Sequence, residues 1–184
     1  MDLVEIIAQG LGIIALAINV ASYQIKRKER ILLCHLTVCL LYSVSFFMLG
    51  ATVGGITNLI GILRSLVYMK RDSWHGGSPV WLATFIFMYV AAFVLSFTVF
   101  GQEASLYYLT FGVIRVIGAI LLTVGYYLDG AKNIRRFGLI TSPMFLVYGL
   151  SEFSIGAVLT EVFKIISTVI GMLRFDRRKQ EEKQ

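Results

Sequence analysis

Seven apolar stretches of near membrane-spanning length dominate this sequence, and they leave it few ways to fold. A helix needs about 20 mostly apolar residues to cross about 30 Å of hydrocarbon. Segments 3–25, 31–49, 51–69, 79–100, 106–128, 138–154 and 155–173 meet or approach that requirement. Only 15% of the 184 residues are charged and 57% are apolar, against about 25% charged in soluble domains. One aqueous core of this chain length could not hide so much apolar surface. The second and third segments are separated only at Gly50-Ala51, and the sixth and seventh only by the Glu152 to Gly156 region. An uninterrupted helix there would run to about forty residues, too long for one crossing, so the sequence predicts a tight turn at Gly50 and at its counterpart Gly156. The expectation is an all-α integral membrane protein with seven transmembrane helices.

The first segment begins Met1-Asp2, carries Glu5 and runs into Lys26-Arg27-Lys28 with no small-residue cleavage site. It therefore reads as a retained helix rather than a signal peptide. Cys34 and Cys39 are too few for a disulfide framework and lack metal spacing, so they read as packing residues. No metal and no cofactor is expected.

Charge sets the orientation. The 17 Lys and Arg outnumber the 11 Asp and Glu to give a net charge of +6, and all but Arg64, Arg115 and Lys164 cluster beside segment ends. Lys26, Arg27, Lys28 and Arg30 follow the first segment, Lys70 and Arg71 the third, and Lys132, Arg135 and Arg136 the fifth. Arg174, Arg177, Arg178, Lys179 and Lys183 follow the seventh. The N-terminus and the alternate loops hold none. The positive-inside rule then puts the N-terminus outside and the basic loops and C-terminus in the cytoplasm. Basic residues at helix ends point to anionic lipid rather than nucleic acid as their partner. Trp74 and Trp81, flanking Pro79, read as interface anchors.

The most informative feature is a gapless repeat at an offset of 106 residues. It pairs Gly12 with Gly118, Lys26 with Lys132, Arg30 with Arg136, Tyr42 with Tyr148, Phe47 with Phe153 and Gly50-Ala51 with Gly156-Ala157. Leu40 with Leu146 and Ile60 with Ile166 also match. Apolar matches are common among membrane helices; Gly, Tyr and basic matches in one register are not. The division expected is a three-helix repeat over 1–75, a linker helix over 76–104 and a second repeat over 105–184 with the basic tail. Three crossings invert the chain and the fourth restores its direction, so the halves are parallel, as the positive loops independently require. That three-one-three arrangement is the one seen in SWEET-type transporters.

Several stretches carry a family resemblance: Ala8-Gln9-Gly10-Leu11-Gly12-Ile13-Ile14-Ala15, Lys28-Glu29-Arg30, Phe46-Phe47-Met48-Leu49-Gly50, and Glu161 through Arg174-Phe175. With them the chain resembles the YgjV-type bacterial inner membrane proteins over nearly its whole length, the fourth helix matching poorly. The resemblance implies a bacterial inner-membrane location and kinship with the SWEET and PQ-loop group, and names no substrate. The chain departs from the SWEET pattern in lacking a Pro-Gln dipeptide and in having only Pro143 inside a helix.

Charged groups inside hydrocarbon cost about 2.5–3.5 kcal/mol each on insertion scales, so each is a functional candidate. Arg115 lies in mid-segment, as does Lys164, with Glu161 three residues earlier on the same helical face. The repeat makes Gln9 the equivalent of Arg115 and Asn58 the equivalent of Lys164, with Tyr42 and Tyr148 as a third pair. A site on a pseudo-twofold axis draws on equivalent positions. Gln9, Asn58, Arg115, Lys164 and Glu161, with Tyr42 and Tyr148, are therefore the predicted lining of one central solute site. Its formal charge of about +1 suits a carboxylate, a phosphate or a polar neutral solute. The plainer readings are an intrahelical Lys164–Glu161 ion pair, helix packing by the tyrosines, and an Arg64 that reaches toward the cytoplasmic headgroups. His35 reads as a hydrogen-bonded or lipid-interface residue. Gly50, Gly156 and Pro143 are the candidate hinges.

No enzyme motif appears: no His-Glu-x-x-His, no Gly-x-Ser-x-Gly, no phosphate-binding Gly-rich loop. The functional expectation is a facilitative transporter of a small polar or anionic metabolite, working by alternating access. The alternatives are a non-transporting receptor or accessory subunit of the same fold, and a permease for vitamin precursors of the PnuC kind. The small solute and anionic lipid are the expected partners, with a homodimer open.

Overall fold

Where no water competes for backbone hydrogen bonds, a spanning segment must satisfy its own N–H and C=O groups, and runs of Leu, Ile, Val and Ala do so as helices. The computed structural model describes residues 3–176, which form α1 (Leu3–Ser22), α2 (Lys28–Met48), α3 (Thr52–Met69), α4 (Pro79–Thr98), α5 (Leu106–Tyr127), α6 (Ala131–Ser151) and α7 (Ile155–Gly171), the last running into a π-helical turn, Met172–Asp176. Arg177, Arg178, Lys179 and Lys183 of the predicted basic tail lie outside the described residues. Six of the seven helices are long and apolar enough to cross a membrane. The exception is α6. It starts at Ala131 rather than at 138, so its first two turns carry Lys132, Asn133, Arg135 and Arg136. Ser78 caps α4 with Pro79 in the first helical position, and Ser105 caps α5, a pairing of residue and place that leaves few backbone donors unmet.

One expected turn moves. Gly50 stands where predicted, at φ +74° just past α2, with the Ala51 N–H bonded back to the Phe46 carbonyl. The matching turn after α6 is centred on Phe153, at φ +51°, and the Ser154 N–H bonds back to the Gly149 carbonyl. Both are the same left-handed helix stop. Gly156 is therefore not a turn residue: it lies inside α7. The register of the repeat placed the turn three residues too late, because α6 ends early relative to α2.

The molecule is apolar outside, and its interior mixes apolar packing, such as Ile31, Leu32, Ile60 and Phe85, with buried polar and charged groups. Leu3, Val80, Phe87 and Leu106 are among its most exposed side chains, while Asn19, His35, Asn58, Arg64, Glu161 and Lys164 are buried. Many buried hydroxyls donate to the carbonyl one turn back, as Thr57 does to Val53, Ser65 to Gly61 and Thr123 to Ala119. That removes the cost of an unpaired group. The helices neighbour one another in a closed order: α1 on α2, α2 on α3, α3 on α5, α5 on α6, α6 on α7 and α7 on α1. α4 lies against α3 and α5. α1 and α7 approach so closely that a Cβ placed on Gly156 would sit 2.6 Å from the Gly12 Cα.

Candidate functional site

Between these helices lies a cavity of about 80 Å³, lined from every helix. A single water needs roughly 10–15 Å³ measured in this way, so the space matches several waters or one small solute. Of the residues singled out by sequence, Tyr42, Asn58, Arg115, Glu161 and Lys164 line it. Arg115 and Lys164 each stand nine residues into their helices, which at 1.5 Å per residue is about 14 Å from the end that carries no basic loops.

Lys164 and Glu161 form a buried ion pair, and the Lys164 ammonium also lies 5.2 Å from the centre of the Phe145 ring. Arg115 donates from Nε to Thr57 Oγ1 at 3.1 Å. Its guanidinium is surrounded by the rings of Phe145, Tyr148 and Phe46, at 4.6, 5.5 and 5.7 Å from the centroids. Aromatic faces carry negative quadrupole density and hold a desolvated cation well. Asn58 donates to the Gly54 carbonyl at 2.8 Å.

Two predicted residues stand elsewhere. Gln9 is bound to the α6–α7 turn, donating to the Phe153 carbonyl at 3.1 Å and accepting from the Gly156 N–H at 3.4 Å. It satisfies an open donor in the first turn of α7 instead of facing the cavity. Tyr148 sits behind Arg115, its hydroxyl accepting from the Gly54 N–H at 2.8 Å. Tyr42, its counterpart, donates to the Gly156 carbonyl at 3.1 Å and is bonded to Thr160. Pro143 lies inside α6 on its exposed face.

The structure also brings to the cavity Arg64 and His35, which by sequence read as a headgroup-directed side chain and as a hydrogen-bonded or lipid-interface residue. Arg64 does not extend toward headgroups. It is 4% exposed and faces the cavity, with Nη1 donating to Tyr89 OH at 3.2 Å and Thr123 Oγ1 at 3.3 Å. Its guanidinium lies 4.4 Å over the Tyr126 ring. The pull is the cluster of hydroxyls and rings contributed by α4 and α5, which no local pattern in α3 announces. His35 is buried, bonded through Nδ1 to Tyr126 OH and through Nε2 to Ser22 Oγ at 3.2 Å. With Tyr23, Tyr68 and Tyr126 it forms an aromatic layer toward the basic end. Tyr42, Phe46 and Tyr148 form a second layer toward the other end.

A bundle of lipid-length helices, apolar outside and charged around a central cavity, defines an integral membrane protein. The comparison with known families narrows this: the chain belongs to the Imp-YgjV family, described as bacterial inner membrane protein, whose model matches residues 6–179. No curated protein and no solved structure matches the chain.

Proposed function

We propose that this protein is a facilitative carrier for a small polar or anionic metabolite, built from two parallel three-helix halves (1–75 and 105–184) joined by a linker helix (76–104). The observation that carries the reading is a cavity at mid-depth lined by residues of both halves, with Arg115, Lys164 and Glu161 facing it. The sense of a symmetric device comes from the contacts. Under the offset of 106, α1, α2 and α3 correspond to α5, α6 and α7, and the α1–α7 packing corresponds to α5–α3. Tyr42 reaches Thr160 and Tyr148 reaches Gly54, and Gly54 is the repeat equivalent of Thr160. Each half thus holds the other through the same tyrosine, which supports the three-one-three, SWEET-like organisation.

In this reading all seven helices cross the membrane, the N-terminus is outside and the basic loops meet anionic lipid in the cytoplasmic leaflet. The two aromatic layers act as alternating barriers, and Gly50 and Pro143 absorb the rearrangement while Gly156 holds α7 against α1. No catalysis is involved. The test is uptake of a mixed metabolite panel into proteoliposomes, read by mass spectrometry, for wild type, Lys164→Ala and Arg115→Ala. Carrier function predicts solute-specific uptake that both substitutions abolish. Folded wild type that takes up nothing above empty liposomes refutes it and leaves the receptor or accessory role.

A further inference from the structure

The cavity contains more positive charge than its own carboxylate can answer. Three cationic side chains face it, Arg64, Arg115 and Lys164, against the single carboxylate of Glu161. Glu161 is committed to Lys164. Among the described residues neither arginine has a carboxylate within ion-pair distance. The three acceptors of Arg64 Nη1 are neutral: Tyr89 OH, Thr123 Oγ1 and, at 3.4 Å, the Ala119 carbonyl. Its Nε is buried with no partner at all. The hydrogen bond of Arg115 also goes to a neutral hydroxyl, Thr57. Two guanidinium groups in the interior, each with only neutral dipoles and rings as protein partners, favour a negative charge beside them.

We infer that the cavity binds a small oxygen-centred dianion, held between Arg64 and Arg115. The inference rests on the cavity being a solute site and names the class of solute. Three features select that class. The formal excess is two charges, so a monoanion leaves one guanidinium unanswered. Guanidinium presents paired N–H donors that match carboxylate and phosphate oxygens, whereas halide offers them a single point. The volume of about 80 Å³ matches a compact oxyanion or a short dicarboxylate better than a bulky nucleotide. Val38, Ala119 and Leu122 on the cavity wall suit the methylenes of a short dicarboxylate. The Lys164–Glu161 pair, already neutral as a unit, sets no further charge requirement.

The experiment measures thermal unfolding and isothermal titration of purified protein in neutral detergent, at constant ionic strength, with succinate, inorganic phosphate, acetate or chloride added. The expected result is a saturable rise in Tm with succinate or phosphate and none with acetate or chloride. Arg64→Gln and Arg115→Gln should each weaken dianion binding at least about tenfold, while the exposed Arg30→Gln keeps it. If Arg64→Gln does not accumulate, Arg115→Gln and the dianion-to-monoanion comparison on wild type still decide. Equal stabilisation by monoanions, or dianion binding that survives both arginine substitutions, overturns the inference. The two readings fail separately. Dianion binding without uptake of any anion ends the carrier reading and leaves the site standing. Uptake of a neutral or cationic solute without dianion binding does the reverse.

Discussion

Replacing Gly156 by alanine tests the α1–α7 contact on which the bundle closes. A methyl group there would lie 2.6 Å from the Gly12 Cα, 2.7 Å from the Gly12 carbonyl carbon and 3.1 Å from the Ile13 nitrogen. Carbon atoms in contact sit about 3.5–4.0 Å apart, so the helices must separate by about 1 Å. Backbone cannot rotate aside as a side chain can, so the strain is not locally relieved. Overpacking of this kind costs about 1–3 kcal/mol, offset by about 0.5–1 kcal/mol that alanine gains over glycine inside a helix. The net expectation is destabilisation by about 0.5–2 kcal/mol. It should be accompanied by weakening of the Tyr42 hydrogen bond to the Gly156 carbonyl. The internal control is Gly10→Ala, on the same helix as Gly12, where a methyl group meets nothing within 4 Å. That substitution should stabilise by about 0.5–1 kcal/mol. Thermal unfolding in detergent reads both, at about 2–4 °C per kcal/mol for a chain of this size. Gly156→Ala as stable as wild type, or Gly10→Ala destabilised to the same degree, would refute the close-approach argument.

Glu161→Gln leaves the Lys164 ammonium without its carboxylate in a cavity that already holds two unanswered guanidinium groups and should destabilise by about 3–5 kcal/mol, whereas adding Lys164→Met restores the original charge excess and should recover most of it; equal losses in single and double variants would exclude the ion pair. Tyr148→Phe leaves the Gly54 N–H without its acceptor and should cost about 1–3 kcal/mol in chemical unfolding, with no change at that level ruling the contact out. Partial burial draws the Asp129 carboxyl upward, but hydrogen bonds from Lys28 and the Gly130 N–H, together with the Lys28 and Arg71 charges, outweigh it and hold it below its usual value. A carboxyl lowered on folding contributes stability above its unfolded pKa of about 3.9 and loses it as pH falls through the folded value. Asp129→Asn should therefore lower stability near neutral pH by less than about 1 kcal/mol, the exposure of the Asp129 side chain keeping it small, and by progressively less below about pH 4; a difference that does not shrink in acid would contradict the sign.

Local sequence decided the helices. Segment length, the basic clusters and the caps at Ser78-Pro79 and Ser105 are one-dimensional signals, because a helix in hydrocarbon makes its backbone hydrogen bonds within its own segment. The repeat gave the Tyr42–Tyr148 pairing, and the price of burying charge marked Arg115, Lys164 and Glu161, all without coordinates. Where the α6–α7 turn falls depended on how soon α6 stops, and Phe153 in a left-handed conformation carries no glycine-like mark in the sequence. Tertiary structure alone decided which polar groups meet. Gln9 and Arg115 are equivalents in the repeat, yet one serves the backbone of the α6–α7 turn and the other faces the cavity. Arg64, a few residues from a basic helix end, turns inward because Tyr89, Thr123 and Tyr126 on two other helices offer it hydroxyls and a ring. A side chain's partners come from helices far away in sequence. Membrane insertion fixes each helix from its own residues, but the charge balance of the cavity exists only once the helices have packed.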